Sequence, residues 1–407
     1  MSSREQRADS VLTPRFLLVV ASGSLYFLAL SMLLPVLPRY VENELGGGSI
    51  AVGVASGSLF LGAIVLRPFT GRIGDRIGRR VLIVAGAAIV AVSTLLYGVV
   101  HSFAWLVGAR LLTGLGEAAF FVGAATMITD LAPPERRGEA VSYWSVAVYG
   151  GLAFGPVIGE AVMGHDRFLL AWVVAAVLTT GASLLGLLTR DVPRTGTPAR
   201  EEHLVHRAAV APGTVLALSL IGLAGFNSFV PLYTDELHHS PAGVFLCYGV
   251  FVLVVRIFAA RLPDTMGPVR AGSLATAFSA AGLTIMTAWR GIPGLFAGTV
   301  VFAAGMSLLY PSLLLLSLEG VPDNERASVV GTFSSFFDLS QAIGGLVCGG
   351  AVALAGNRGA FGTGAVLAMV AFVLLRSGID PRTRVRAAPA LDAARAEFTD
   401  PGFTAGT

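Results

Sequence analysis

The sequence contains no lysine: all 28 basic residues of its 407 are arginine. In a chain this rich in Ala, Gly and Val, that skew reads as genome composition rather than function. It still excludes one chemistry. Without lysine there is no Gly-x-x-x-x-Gly-Lys phosphate loop, so ATP is not hydrolysed here by that route. Charge as a whole is scarce, at 13% of residues against about 25% in soluble domains. With 54% apolar residues, water could not solvate a sphere of this composition, whereas lipid could. There are only two cysteines, Cys247 and Cys348, both inside apolar segments. That excludes a disulfide framework and leaves two small packing residues. The six histidines are scattered, with only His238 and His239 adjacent, so the cluster a membrane enzyme would need is missing. No catalytic residue, cofactor, metal or nucleic-acid partner is expected, and the net charge of +3 says little about partners.

What is present is a succession of long apolar runs. Spanning a bilayer takes about 20 apolar residues per helix, and twelve candidates can be read: Phe16–Leu37, Ile50–Thr70, Val81–Val100, Phe103–Thr129, Ala140–Met163, Phe168–Thr189, Ala211–Tyr233, Pro241–Ala260, Ala271–Trp289, Ile292–Leu318, Ala327–Ala355 and Ala360–Leu375. The first run is long, lacks a small-residue cleavage site and is followed by further spans, so it reads as an uncleaved helix. An even number of spans puts both termini on one side. With the termini inside, Arg39, Arg167, Arg290 and Arg358 fall in outer loops, and Arg67, Arg110 and Arg256 fall within spans. The remaining 21 arginines are then cytoplasmic, which fixes the orientation by the positive-inside rule.

The longest polar stretch between spans, from Arg190 to Val210, divides the chain six plus six. A repeat appears at a constant offset of 189 residues: Arg67 with Arg256, Phe69 with Phe258, Arg72 with Arg261, Asp75 with Asp264, Gly78 with Gly267, Pro133 with Pro322, Arg137 with Arg326 and Gly155 with Gly344. Chance does not hold such a set in register across three segments. Two duplicated six-helix halves are the organisation of a rocking transporter, with the site between the halves near the midplane. The expected segments are a cytoplasmic N-terminal piece (1–15), a first bundle (16–189), a central linker (190–210), a second bundle (211–377) and a disordered cytoplasmic tail (378–407).

Between the second and third spans lies Gly71-Arg72-Ile73-Gly74-Asp75-Arg76-Ile77-Gly78-Arg79-Arg80. So short and basic a turn between two apolar helices makes a hairpin whose turn stays at the cytoplasmic surface. Its glycines and charges closely resemble the loop between helices 2 and 3 of the major facilitator superfamily of transporters, whose pattern is Gly-x-x-x-Asp-Arg-x-Gly-Arg-Arg. The resemblance covers essentially the whole chain and implies the fold: all-α, integral to the membrane, twelve transmembrane helices in two pseudo-symmetric six-helix bundles. It also implies a cytoplasmic gate. In the family the loop Asp lies against the start of helix 11, as a carboxylate at a helix N-terminus should, and joins a loop Arg and an acid on helix 4. Here Asp75, Arg79 and Asp130 would fill those roles, with Gly71, Arg76 and Gly78 shaping the turn.

The chemistry should lie in charges that are costly in lipid, at about 2.5–3.5 kcal/mol or more at the bilayer centre. Arg110 and Glu117 lie seven residues apart, so both project from one face of the fourth span, with Arg110 about 10 Å further out. Each must face a cavity or the other. They form either a buried pair that joins helices or a protonatable site held by a nearby cation. Arg110-x-x-x-Gly114-x-Gly116 resembles the family's helix 4 motif, often linked to proton coupling. Asp338, near the middle of the eleventh span, is either a helix-packing hydrogen-bond acceptor or a carboxyl that takes a proton from one side and gives it to the other.

Gly151-x-x-x-Gly155-Pro156-x-x-Gly159 on the fifth span repeats small residues every four, letting helices approach closely, and Pro156 bends the helix. It resembles the motif that marks the antiporter branch of the family. The family pattern ends Gly-Gly where this chain has Gly159-Glu160. Glu160 either reaches the outer interface or adds an acidic point for protons or cations. Spans 1, 4, 7 and 10 should line the cavity, offering Tyr26, Ser31, Phe120, Phe121, Phe226, Asn227, Met306 and Tyr310. The set holds few hydrogen bonders and suits a lipophilic or amphipathic molecule, with Glu117 available to a cationic centre.

The resemblance therefore implies a secondary transporter of the drug:proton antiporter branch, exporting a lipophilic or amphipathic small molecule across the cell membrane in exchange for protons, as a monomer in the bilayer. A proton-coupled importer of a small metabolite shares the fold, and a transport-inactive receptor or scaffold is the remaining alternative.

Overall fold

The computed structural model describes residues 11–378, except 100, 134–135, 165, 192–204, 260–261 and 323–324; the side chains at 68, 71, 75, 264 and 327 are also outside that description. Most of the expected linker and tail, and the carboxylate of Asp75, therefore lie outside the described residues.

Among the described residues, twelve long helices carry the twelve expected spans. They are α1 (Pro14–Met32), α2 (Ser49–Ile77), α3 (Arg79–Tyr97), α4 (Phe103–Leu131), α5 (Arg137–Met163), α6 (Phe168–Leu188), α7 (Arg207–Glu236), α8 (Ala242–Phe258), α9 (Pro268–Ala288), α10 (Ile292–Leu318), α11 (Arg326–Ala355) and α12 (Arg358–Gly378). Eleven spans are long and apolar enough to cross a membrane, and α8 is a shorter apolar helix. At 17 residues α8 rises about 26 Å, near the lower limit for a span. The first span is broken. α1 ends at Met32, Pro35 stands before a second short helix, Val36–Asn43, and the missing N–H of a proline cannot continue a ladder. The break turns Arg39 into the protein, where it is 7% exposed.

The helices pack as two bundles that repeat each other's contacts. α1 packs on α5 and α6, α2 on α4, and α3 on α4 and α6; six helices later, α7 packs on α11 and α12, α8 on α10, and α9 on α10 and α12. The bundles meet along two seams, α2 with α11 and α5 with α8, which the same pseudo-symmetry exchanges. Lipid-facing rows such as Val177, Leu184 and Leu188 on α6 or Val366, Met369 and Val373 on α12 remain exposed, as apolar surface in a bilayer can.

Small residues decide how close the helices come. A Cβ at Gly114 of α4 would lie 1.8 Å from the Leu59 carbonyl oxygen of α2, and one at Gly159 of α5 would lie 1.9 Å from that of Met32 in α1. Gly151 and Gly155 meet Phe27 and Ser31 of α1 in the same way. The fifth-span glycines thus join α5 to α1 within one bundle. The contact is tightest at Gly159.

Candidate functional site

A cavity of about 260 Å³ lies between the bundles. Its walls come from α1 (Phe27, Ser31), α2 (Leu59, Phe60), α4 (Arg110, Glu117, Phe121), α7 (Asn227), α8 (Tyr248) and α11 (Phe337, Gln341). The lining is aliphatic and aromatic, with a few polar groups, as small-molecule sites are.

At its edge sits a cluster whose centre is Arg67 of α2. Its Nη2 donates to Glu117 Oε2 at 3.0 Å, and its Nε lies 2.6 Å from Asp338 Oδ2. Side-chain exposures are 15% for Arg67, 12% for Glu117 and 1% for Asp338. The second contact is an ion pair without a well-directed hydrogen bond. Despite the short separation, Arg67 Nε and both oxygens of Asp338 have no hydrogen-bond partner of good geometry. A carboxylate buried in this way is held by charge alone, and such a group calls for an explanation. The Arg67 guanidinium also lies 5.4 Å from the Phe121 ring centroid, a cation–π distance. Arg67 and Glu117 belong to the first bundle and Asp338 to the second, so the cluster ties the two across the α2–α11 seam.

The other seam carries its counterpart. Arg256 of α8 lies 4.5 Å over the ring of Tyr149 on α5. The 189-residue offset relates Arg67 to Arg256, and it also relates Asp338 to Tyr149. Each seam therefore has an arginine of the repeat reaching across to the equivalent position of the partner helix. One finds a carboxylate there and the other a phenol ring.

The two bundles are closed together on the face away from the α2–α3 turn. There Arg39 bonds Glu160 of α5 through Nη1 at 2.6 Å and Asp235 of α7 through Nε at 2.6 Å and through Nη2. Below it the seams are tight. A Cβ at Gly345 would lie 2.2 Å from the Gly53 oxygen, one at Gly57 2.4 Å from the Ala342 oxygen, and one at Gly249 2.3 Å from the Ala153 Cβ. Glu160 is thus paired with Arg39, a contact that neither reading of it named.

On the turn face, Arg79 pairs with Asp130 at 2.5 Å, as the loop–helix 4 network requires. Gly78 turns the chain with φ +96°, a left-handed conformation that glycine adopts freely. Asp191, which the sequence did not single out, accepts the Arg80 backbone N–H at 2.9 Å and so caps α3 with a negative charge. Arg76 is exposed, and Gly71 lies within the last turns of α2.

Several sequence expectations are corrected. Arg110 does not serve as the cation for Glu117. Its Nε and Nη2 donate to the backbone oxygens of Ala55 and Ser56 at 3.0 and 3.1 Å, while Arg67 takes the carboxylate. Seven residues leave the two on one face, but α2 crosses α4 beside Gly114 and delivers its own arginine. Tyr26 is wholly buried and stacks on Phe120 with ring centroids 3.7 Å apart, so it is not a cavity wall. Tyr310 bonds Ser334 through its hydroxyl at 3.2 Å and packs on Phe333, so it too points toward α11 rather than the cavity. Phe121, Asn227 and Ser31 do line the cavity. Missed altogether were the pairing of Arg67 with Glu117 and Asp338 and the contacts of Arg39, Asp235 and Tyr149. The signal for Arg67 and Arg256 was available, as arginines inside apolar spans at the repeat offset.

The family model of the Major Facilitator Superfamily matches residues 19–344, with a second match over 214–405. An uncharacterized MFS-type transporter of Salmonella typhimurium is 29% identical over 341 residues, covering 81% of this chain and 88% of the relative. One from Burkholderia mallei is 28% identical over 363 residues, covering 84% and 88%. Among solved structures, the fold is similar to that of the nucleoside transporter NupG (TM-score 0.74, 14% identity, 89% of this chain and 99% of that one). It is also similar to a bacterial homologue of the human lysosomal transporter Spinster in an inward-facing, occupied conformation (TM-score 0.71, 16% identity, 88% and 95%).

Proposed function

We infer the function of this chain from one premise: it belongs to the major facilitator superfamily. It is a multi-pass membrane protein of a transporter family, and secondary transport by alternating access between its two bundles follows from that membership. The finer reading is export of an amphipathic small molecule across the cell membrane, driven by protons moving inward. The arginine-rich α2–α3 turn is placed in the cytoplasm, with both termini on the same side, and the sealed face then looks outward.

The observation that carries this reading is one buried arginine shared between two carboxylates of different bundles. With all three groups ionised the cluster holds a net charge of −1. A single proton cancels it, and so does the cationic centre of a substrate held at Glu117, which faces the cavity. Proton and substrate therefore compete for the same charge, the condition for exchange rather than cotransport. A proton on Asp338 removes the attraction that ties α11 to Arg67 across the seam. The halves can then rock, and the proton leaves when Asp338 reaches the other side. The aromatic walls formed by Phe27, Phe60, Phe121 and Phe337 favour a lipophilic body. The Arg79–Asp130 pair, with Asp75 in the role the family assigns it, steadies the cytoplasmic gate, and one copy of the chain provides the whole path.

The test is proton-flux fluorescence in inverted vesicles containing the purified protein, with a panel of lipophilic cations and neutral drugs. Substrate-triggered proton release by the wild type, absent in Glu117→Gln, is the expected result. If no compound in the panel moves protons, export of this class is wrong and import of a narrow metabolite replaces it.

A further inference from the structure

A second cavity, of about 520 Å³, opens on the lipid-facing side of the second bundle. It lies where the end of α9 parts from the α11–α12 hairpin, on the face away from the α2–α3 turn. Thr287 of α9 forms one wall, and Ala355 with Gly359, Gly362, Thr363, Val366 and Leu367 forms the other, with Arg358 at the mouth; apart from the two threonines the lining below Arg358 is apolar. We propose that this groove holds one anionic phospholipid, its phosphate on Arg358 and an acyl chain lying along α12.

Three features define the occupant. The first is charge. Arg358 donates through Nη1 to the Thr287 backbone oxygen at 2.8 Å, which fixes the guanidinium at the mouth, and no carboxylate pairs with it among the described residues. As the first residue of α12, it adds a full charge to the positive end of that helix dipole. The second is depth. From Arg358 to Leu367 the groove follows nine residues of helix, about 13 Å, close to the half-thickness of a hydrocarbon core of about 30 Å. A charged mouth above an apolar slot one leaflet deep matches a phosphate above an acyl chain. The third is access. Val366, which lines the groove, is 63% exposed, and Leu354 and Met369 on the same two helices are 91% and 51% exposed; such apolar surface faces lipid in a spanning bundle. An acyl chain reaches the groove through the bilayer, and the apolar walls below the mouth offer a water-soluble anion nothing beyond Arg358. Trp289, at the end of α9 and 56% exposed, sits at the level where indoles mark the interface, and Arg290 follows it.

The slot depends on glycine. Gly362 faces only the side chain of Thr287, whose Cγ2 would lie 3.4 Å from an added Cβ. A Cβ there meets no backbone atom within 4 Å, so a larger side chain can start into the groove from a position that tolerates it. Phosphatidylcholine carries its own cation beside the phosphate, which offsets the attraction of Arg358, whereas phosphatidylglycerol does not.

The experiment is native mass spectrometry of the purified full chain, titrated separately with phosphatidylglycerol and phosphatidylcholine. Four proteins are compared: wild type, Arg358→Gln, Gly362→Leu and Arg167→Gln, the last removing an exposed cation elsewhere on the same face. Wild type and Arg167→Gln should retain one more phosphatidylglycerol than the two groove variants. Its apparent affinity should fall at least about fivefold in Arg358→Gln. Phosphatidylcholine should be retained alike by all four. Equal phosphatidylglycerol retention by wild type and both groove variants overturns the proposal. So does retention of phosphatidylcholine equal to that of phosphatidylglycerol by the wild type. The readout is independent of transport, so it stands or falls apart from the export reading.

Discussion

Replacing Arg67 by methionine removes the one cation between Glu117 and Asp338 while keeping an apolar stem of similar length. Glu117 at 3.0 Å and Asp338 at 2.6 Å are then left buried without a counter-charge, Asp338 with no hydrogen bond to fall back on. Breaking a buried pair from one side costs about 3–5 kcal/mol, whereas replacing both partners by neutral groups is often tolerated. Arg67→Met should therefore destabilise the protein by about 3–5 kcal/mol at neutral pH. Asp338→Asn alone should cost less, because Arg67 keeps Glu117. Adding Asp338→Asn to Arg67→Met should recover part of the loss, giving a coupling energy of more than about 1 kcal/mol. The loss in Arg67→Met should also shrink on acidification, since protonated carboxyls strand no charge. Reversible unfolding of the four proteins in mixed micelles measures the cycle. Additive effects, or an Arg67→Met loss that does not change with pH, would refute an ion pair at the seam.

The remaining predictions concern the seal and the second seam. Arg39→Gln removes the bonds to Glu160 and Asp235; a spin-label pair at positions 167 and 290 should gain a longer-distance population, and an unchanged distribution would show that Arg39 does not hold that face shut. Gly345→Ala places a methyl group 2.2 Å from the Gly53 oxygen, so the α2–α11 seam cannot close and transport should be lost. Gly108→Ala, with open space around its Cβ, should be silent in the same vesicle assay. Tyr149→Asp gives Arg256 the partner that Asp338 gives Arg67, and should raise the number of protons moved per substrate. Tyr149→Phe keeps the ring under Arg256 and should leave that ratio unchanged.

The sequence by itself determined the architecture. Apolar runs of about 20 residues have one stable outcome in lipid, because every backbone polar group must be satisfied within its own helix. The excess of arginine on one set of turns gives an expected direction of insertion. The 189-residue register foretold that contacts in one bundle would recur in the other, and the Arg79–Asp130 pair was implied by the resemblance of the turn to the family's loop motif.

Tertiary structure decided the partners. An amphipathic pattern gives the phase of a helix only when one face is polar, and here nearly every face is apolar, so the orientations of Tyr26 and Tyr310 could not be read. Arg110 and Glu117 share a face of α4, which made them look like a pair. The close approach at Gly114 brought α2 against that face, handed Glu117 to Arg67, and left Arg110 to the carbonyls of Ala55 and Ser56. Arg39 looked like an ordinary loop cation until the break at Pro35 turned it between Glu160 and Asp235. Asp338 and Tyr149 occupy equivalent positions of the repeat and face equivalent arginines, yet only one can carry a full negative charge. Composition and period set which helices exist, because lipid acts on each helix separately. Charge pairing depends on separations of 2.6–3.0 Å between residues far apart in the chain, and only the packing of one helix against another sets those.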